Sequence, residues 1–293
     1  MQVAKDNSDL MERPQKTKGG ISYLARPGDG PTVVFLHGIG SNAGSFRPVF
    51  ERLPPQANLI AWNAPGYLSS DPVDDPWPVP KTYAEALCRF LDELKLPKIH
   101  LVGHSLGTLI AGTFARSYPD RLGGLVLVSA ANGYRVAKGG QLPAKVRARI
   151  DNLDQLGVVA FANARAANLV HEPMKNGDVV AQVESAMAEI DPGGYAQAVH
   201  LLASGDLPGD LAQVNIMPSF IIGAQDRVTP MDQTQTAAQA WADAHGRQPP
   251  IHVIEGAGHA VYLQKPSEFA SILNRLVTAD ENADFRAIQP EET

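Results

Sequence analysis

Short apolar runs, separated by longer stretches with a helical stripe, set the rhythm of this chain. Thr32–Leu36, Leu59–Trp62, Lys98–Val102, Leu125–Val128, Ser219–Ile222 and Ile251–Ile254 are such runs. Brief stretches of this kind, rich in β-branched residues and without polar alternation, predict strands buried on both faces, as a parallel sheet requires. Ile21–Ala25 predicts one more short strand, set off by the turn residues Gly28-Asp29-Gly30-Pro31. Between the strands the period lengthens. Thr82–Leu94 carries Ala84, Leu87, Phe90, Leu91 and Leu94 on one stripe, and Leu106–Ser117 and Pro230–His245 behave alike. Pro266–Leu276 opens on a proline suited to a first helical turn. Strands alternating with helices predict an α/β fold, a mostly parallel sheet flanked by helices with right-handed crossovers.

One stretch breaks the alternation. Residues 134–211 hold no convincing strand but several helical runs: Pro143–Leu156, Val158–Leu169, Val179–Ile190 and Tyr195–Ala203. They predict an α-helical cap inserted after the fourth buried run. The expected organisation is a loose N-terminal extension over 1–19, a core of 20–133 and 212–278, the cap at 134–211, and a solvated acidic tail at 279–293.

Composition narrows the class. Hydrophobic residues make up 44% of the 293 and charged residues 19%, which excludes a disordered or fibrous chain. Net charge is −6, which argues against a nucleic-acid partner. No apolar run approaches the ~18 residues of a membrane helix, and the charged first twenty residues show no signal peptide. No membrane association and a cytoplasmic location are the expectations. Cys88 is the sole cysteine, which removes an intrachain disulfide framework and a cysteine-rich zinc site. No clustered ligand spacing and no phosphate-cradling loop is visible, so no metal or organic cofactor is expected. The sequence leaves homo-oligomerisation open.

The strongest chemical signal is Gly103-His104-Ser105-Leu106-Gly107, between a buried run and a helix. There a G-x-S-x-G turn exposes a serine hydroxyl at a strand's end, beside a helix N-terminus. A serine is a weak nucleophile and needs a base, which needs an orienting carboxylate. Asp226, in Gly223-Ala224-Gln225-Asp226, follows the fifth buried run, and His259, in Gly256-Ala257-Gly258-His259, follows the sixth. All three fall on loops at one sheet edge, where α/β proteins place their sites. Among the other histidines, His100 and His252 sit inside strands, His171 and His200 in the cap, and His245 at a helix end; His104 is expected to point away in the tight turn. The stretch Ser129–Gly133 offers no competing acid, and Glu255 belongs to a strand end. The two N–H groups of an oxyanion hole are assigned to Leu106 and, in His37-Gly38-Ile39-Gly40, to Ile39.

With His37-Gly38, Gly103–Gly107, Gly223–Asp226 and Gly258-His259 in this order, residues 20–278 resemble the α/β-hydrolase superfamily. The resemblance implies an eight-stranded sheet, a helical cap and a Ser-Asp-His triad. Asn63–Ser70 resembles that family's D-x-P-G-x-G-x-S loop but departs from it at Asn63 and Leu68, and Thr108 replaces a frequent glycine. Within the superfamily, Ser105 excludes the relatives that attack with aspartate. Hydrolysis of a small hydrophobic carboxylic ester or lactone is the favoured reading. Carbon–carbon bond hydrolases usually carry asparagine before the serine and tryptophan after the histidine, where this chain has His104 and Ala260. That chemistry stays open as an alternative, as does a non-catalytic binding protein on the same scaffold. The cap's apolar residues suit a small hydrophobic substrate. Arg147, Arg149 and Arg165 could grip a carboxylate, but each reads as a solvated helix face.

Overall fold

The computed structural model describes residues 15–282. Eight strands form a single sheet: β1 (Gln15–Lys16), β2 (Ser22–Arg26), β3 (Thr32–Leu36), β4 (Asn58–Trp62), β5 (Ile99–His104), β6 (Leu122–Val128), β7 (Ser219–Gly223) and β8 (Ile251–Ile254). Their order is β1-β2-β4-β3-β5-β6-β7-β8. The β1–β2 and β2–β4 pairs are antiparallel and the others parallel, giving the mostly parallel sheet the apolar runs predicted. Val33–Leu36 and Leu59–Trp62 are buried throughout, as central strands covered on both faces must be.

The helices are α1 (Arg47–Phe50), α2 (Pro80–Glu93), α3 (Leu106–Ser117), α4 (Ala144–Leu156), α5 (Val158–Ala166), α6 (Gly177–Met187), α7 (Pro192–Ser204), α8 (Leu207–Leu211), α9 (Met231–His245), α10 (Val261–Gln264) and α11 (Pro266–Asn282). Two groups pack on the sheet, one of α2, α3, α8 and α9 and the other of α1, α10 and α11. No helix among the described residues is long and apolar enough to cross a membrane.

Three expectations change. Residues 15–19 are not a loose extension. Gln15–Lys16 pairs with Ser22–Tyr23, the Tyr23 hydroxyl donates to Gln15 Oε1 (2.7 Å), and Lys16 pairs with Asp71. This is the eighth strand, invisible to a hydrophobic pattern because it holds one Gln and one Lys; residues 1–14 lie outside the described residues. At the other end α11 runs through Asn282, and the expected acidic tail beyond it also lies outside them. The expected cap ran to residue 211, but α8 packs against α3 and α9 beside the sheet, so the layer over the sheet edge is built by α4–α7.

Candidate active site

Ser105 stands between β5 and α3 with φ 51° and ψ −114°, a backbone conformation L-residues avoid. The turn closes only because its flanking residues lack side chains. A Cβ on Gly103 would stand 2.5 Å from the Gly107 carbonyl oxygen, and one on Gly107 would overlap the Leu36 carbonyl of β3. Ser105 N–H donates to the Val128 carbonyl (2.9 Å), tying the turn to the end of β6. The Thr108 hydroxyl donates to the Ser105 carbonyl (2.6 Å) and accepts the Ala131 N–H (3.1 Å). Thr108, where related chains often carry glycine, therefore ties the strained turn to the loop after β6.

The loop after β7 carries Asp226 and the loop after β8 carries His259. Both are buried, and His259 Nδ1–H donates to Asp226 Oδ2 at 2.9 Å. Asp226 Oδ1 accepts the N–H groups of Val228 (2.8 Å) and Thr229 (3.0 Å). Burial pushes the Asp226 carboxyl up, but the His259 charge and hydrogen bond, with those two amides, outweigh it and hold the carboxyl well below its usual range. The Thr229 hydroxyl stands 3.0 Å from both Asp226 Oδ2 and the Ser129 carbonyl. A carboxylate at Nδ1 leaves Nε2 as the ring's acceptor nitrogen. Glu255, the sequence competitor, is exposed and accepts a hydrogen bond from Gln225.

Ser105, Leu106, Ile39 and His259 line one cavity of about 270 Å³, with Asp226 behind the imidazole. Leu106 is the first residue of α3, and the first N–H groups of a helix have no intrahelical acceptor. On the other loop, Gly40 N–H donates to the Tyr67 hydroxyl (3.4 Å) and Ser41 N–H to the Gly38 carbonyl (3.1 Å). The Ile39 N–H just before them has no protein acceptor among the described residues. His37 holds that loop in place. Its Nε2 accepts the Ala64 N–H (3.0 Å) while Nδ1–H faces the Gly38 carbonyl (2.9 Å), and burial pushes its pKa down to about 4.

The known relatives can be set beside this geometry. The model of the alpha/beta hydrolase family matches residues 33–272. The chain belongs to the alpha/beta hydrolase family. It is 26% identical over 255 residues to a pimeloyl-[acyl-carrier protein] methyl ester esterase of Chromobacterium violaceum, covering 86% of this chain and 96% of that one. It is 22% identical over 253 residues to 3-oxoadipate enol-lactonase 1 of Acinetobacter baylyi, covering 86% and 90%. Among solved structures, a thermophilic esterase from Thermogutta terrifontis superposes with a TM-score of 0.79 at 21% identity, covering 92% of this chain and 99% of that one. An enol-lactonase from Burkholderia xenovorans gives 0.78 at 18% identity, covering 91% and 100%. The relatives set beside this alpha/beta hydrolase are themselves named as ester or lactone hydrolases.

Several residues around the site of this hydrolase carry no sequence motif. His104, expected to point away from the serine, packs against the back of His259, ring centroids 4.8 Å apart, and its Nε2–H donates to the His259 carbonyl (3.0 Å). Burial, reinforced by the His259 charge, pushes the His104 pKa down to about 3. Gln264 of α10 clamps the helical layer onto the histidine loop. Its Oε1 accepts the N–H groups of Gly258 and His171 (both 3.0 Å), and its Nε2 donates to the His171 carbonyl (2.8 Å). Asn63, where the family loop has aspartate, accepts the Ala43 N–H and donates to the Ser22 hydroxyl (both 2.8 Å). The expectation that three arginines form solvated faces holds only for Arg147, which is exposed and pairs with Asp151 (3.0 Å). Arg149 and Arg165 line the cavity. Among the described residues, no group of three or more His, Cys, Asp or Glu side chains is arranged to hold a metal ion.

Proposed function

We propose that this chain is a serine hydrolase that cleaves a carboxylic ester or lactone through an acyl-enzyme intermediate, with Ser105, His259 and Asp226 as its triad. The observation that carries the reading is one cavity lined by Ser105, His259, Leu106 and Ile39, whose N–H has no protein acceptor among the described residues, with a carboxylate on the far nitrogen of the imidazole. Ser105 Oγ attacks the carbonyl carbon as His259 Nε2 takes the hydroxyl proton. The carbonyl oxygen becomes an oxyanion facing the Ile39 and Leu106 N–H groups. Asp226 holds the imidazole in its Nδ1–H tautomer and stabilises the imidazolium. The imidazolium then protonates the leaving alkoxide, and a water activated by the same base releases the acid. The helices α4–α7 act as the cap that closes the cavity.

A screen of 4-nitrophenyl esters, lactones and ring-fission dienones, with a fluorophosphonate label read by mass spectrometry, tests this. Ester or lactone turnover with the label on Ser105 is the expected outcome. Efficient cleavage of a vinylogous diketone acid with only trace esterase activity would assign carbon–carbon hydrolysis instead. An unlabelled Ser105 with no turnover of any class would assign a binding protein.

A further inference from the structure

Three cationic side chains face the cavity that holds Ser105 and His259: Lys145 and Arg149 from α4, and Arg165 from α5. No aspartate or glutamate lines that cavity. Among the described residues none of the three is ion-paired, whereas Arg147 on the same helix turns outward to Asp151. A lining of three positive groups and no negative one is unusual in a chain of net charge −6.

The cations are supported by aromatic rings instead of acids. The Arg165 guanidinium lies 5.1 Å from the Phe161 ring centroid, and Phe161 is braced edge-on against Tyr195 at 5.4 Å. The Lys145 ammonium lies 5.6 Å from the Tyr134 ring centroid. A ring face attracts a cation without neutralising it, so the charge stays available to a ligand. Burial lowers the Arg165 pKa; Tyr195 opposes this, and the nearby Arg149 charge adds to it. Two guanidinium groups close enough to repel, part-buried and without an acid, are stable together only at a cost that an incoming anion removes.

We propose that the substrate of this site carries a carboxylate arm remote from the scissile carbonyl, and that Arg149 and Arg165, assisted by Lys145, hold that arm. The inference rests on the ester-hydrolase reading above and names its substrate class, a hemiester or a carboxylated lactone. The planar guanidinium fork matches a carboxylate with two parallel hydrogen bonds. Leu106, Leu169 and Leu202 line the same cavity and suit a short methylene chain between the two ends. Hydrolysis consumes one water. It turns a monoanionic ester into an alcohol and a dicarboxylate, or a lactone into a hydroxy-dicarboxylate, and leaves the arm unchanged.

Matched pairs test the claim: monomethyl adipate against methyl hexanoate, and the corresponding pairs from succinate to suberate, followed by acid release. The best hemiester should exceed its neutral partner in kcat/KM by about tenfold or more at low salt, and the ratio should shrink as salt is added. Arg149→Gln and Arg165→Gln should collapse that ratio mainly through KM, while Arg147→Gln, outside the cavity, leaves it unchanged. Binding is read separately from turnover by titrating monomethyl adipate into Ser105→Ala protein. Affinity lost on adding Arg165→Gln supports the carboxylate site even if every ester assay fails, in which case only the hydrolase reading falls. Hydrolysis of neutral esters with no preference for hemiesters and no arginine-dependent binding overturns the carboxylate arm and leaves the hydrolase reading standing. Tighter arginine-dependent binding of inorganic phosphate than of the hemiester would also overturn it.

Discussion

Ser105 and Arg165 line the same cavity, yet they reach it by different routes. Ser105 is held by backbone: a positive φ, a hydrogen bond to the end of β6, and glycines whose missing side chains let β5 and α3 turn back beside β3. Arg165 is held by packing, a side chain laid over Phe161, itself wedged against Tyr195. The sheet edge presents its groups through covalent geometry that tolerates little change. The helical layer presents its groups through side-chain contacts that can be exchanged. On the reading proposed above, the lower half of the cavity, at the sheet edge, carries the chemistry, and the upper half, in the helical layer, carries the substrate preference.

The largest expected effect breaks the lower half. Ser105→Ala should lower kcat by about 10³-fold or more, and Asp226→Asn by about 10²–10⁴-fold, with the fold intact by circular dichroism. Glu255→Gln, on an exposed side chain bonded to Gln225, should stay near wild type. A dead Glu255→Gln beside an active Asp226→Asn would move the acid to Glu255, just past the end of β8. No such loss is expected from Arg165→Gln on a neutral ester's kcat, which is where the two halves part.

How legible each half was follows from the same difference. The loops bearing Ser105, Asp226 and His259 each follow an apolar run, and a parallel sheet brings the ends of such runs to one edge whatever the intervening sequence. Their proximity could be argued from spacing and order alone. The start of β6 was obscured because Gly123-Gly124 dilutes its apolar pattern. Neither the bonding of Thr108 nor any role of Thr229 and Gln264 is legible in the sequence, because each is a single polar residue whose partner is distant in sequence or on the backbone. Arg149 and Arg165 read as solvated faces, and Lys145 goes unremarked, because an isolated run of helical sequence does not say which face turns toward the cavity. One signal was available: Lys145 and Arg149 are four apart and share a face, while Arg147, two away, cannot.

A second comparison sets glycines of the two halves against each other. Gly107→Ala drives a methyl group into the Leu36 backbone, which cannot give way without distorting β3, so a loss of about 3 kcal/mol or more is expected. Gly157, between α4 and α5, has open space around it but φ 72° and ψ 163°, a region that glycine alone adopts readily, so Gly157→Ala should cost about 1–3 kcal/mol of backbone strain with no added clash. Urea denaturation of both variants checks the order. Equal losses would mean that the elbow is no more constrained than the helical layer.

Acid should also act first on the sheet edge. Burial holds His37 near pKa 4 and His104 near 3, while the unfolded chain protonates histidine near about 6.5. A depressed histidine favours the folded state fully above the unfolded value. That contribution drains away as pH falls from about 6.5 toward 4, because the unfolded chain takes protons that the folded one refuses. In this window each histidine gives a slope of about 1.4 kcal/mol per pH unit. Protonating His37 Nε2 would also remove the acceptor of the Ala64 N–H. Stability measured at pH 7.5, 6 and 5 should fall steeply between the last two. A flat profile above pH 5 would show that neither ring is held neutral.

The smallest effect lies where the sheet edge departs from its own rule. Leu68 occupies a loop position at which the family pattern has glycine, and it does so with φ 50° and a side chain 41% exposed. The turn is imposed by its neighbours: Tyr67 N–H donates to the Ala64 carbonyl (2.9 Å) and Ser70 N–H to the Tyr67 carbonyl (2.9 Å). The backbone is thus held in a left-handed conformation that costs an L-residue about 1–2 kcal/mol and glycine almost nothing. Leu68→Ala and Leu68→Gly remove the same partly exposed side chain, so their lost packing largely cancels in a direct comparison. In ordinary backbone alanine is the more stable of the two; here the order should invert, with Leu68→Gly ahead by about 1 kcal/mol. Urea midpoints of the two variants, with equal slopes, decide it. An alanine variant as stable as the glycine variant would mean the loop relaxes out of the left-handed region, and that Asn63 and Ser70 do not hold it as tightly as their hydrogen bonds imply.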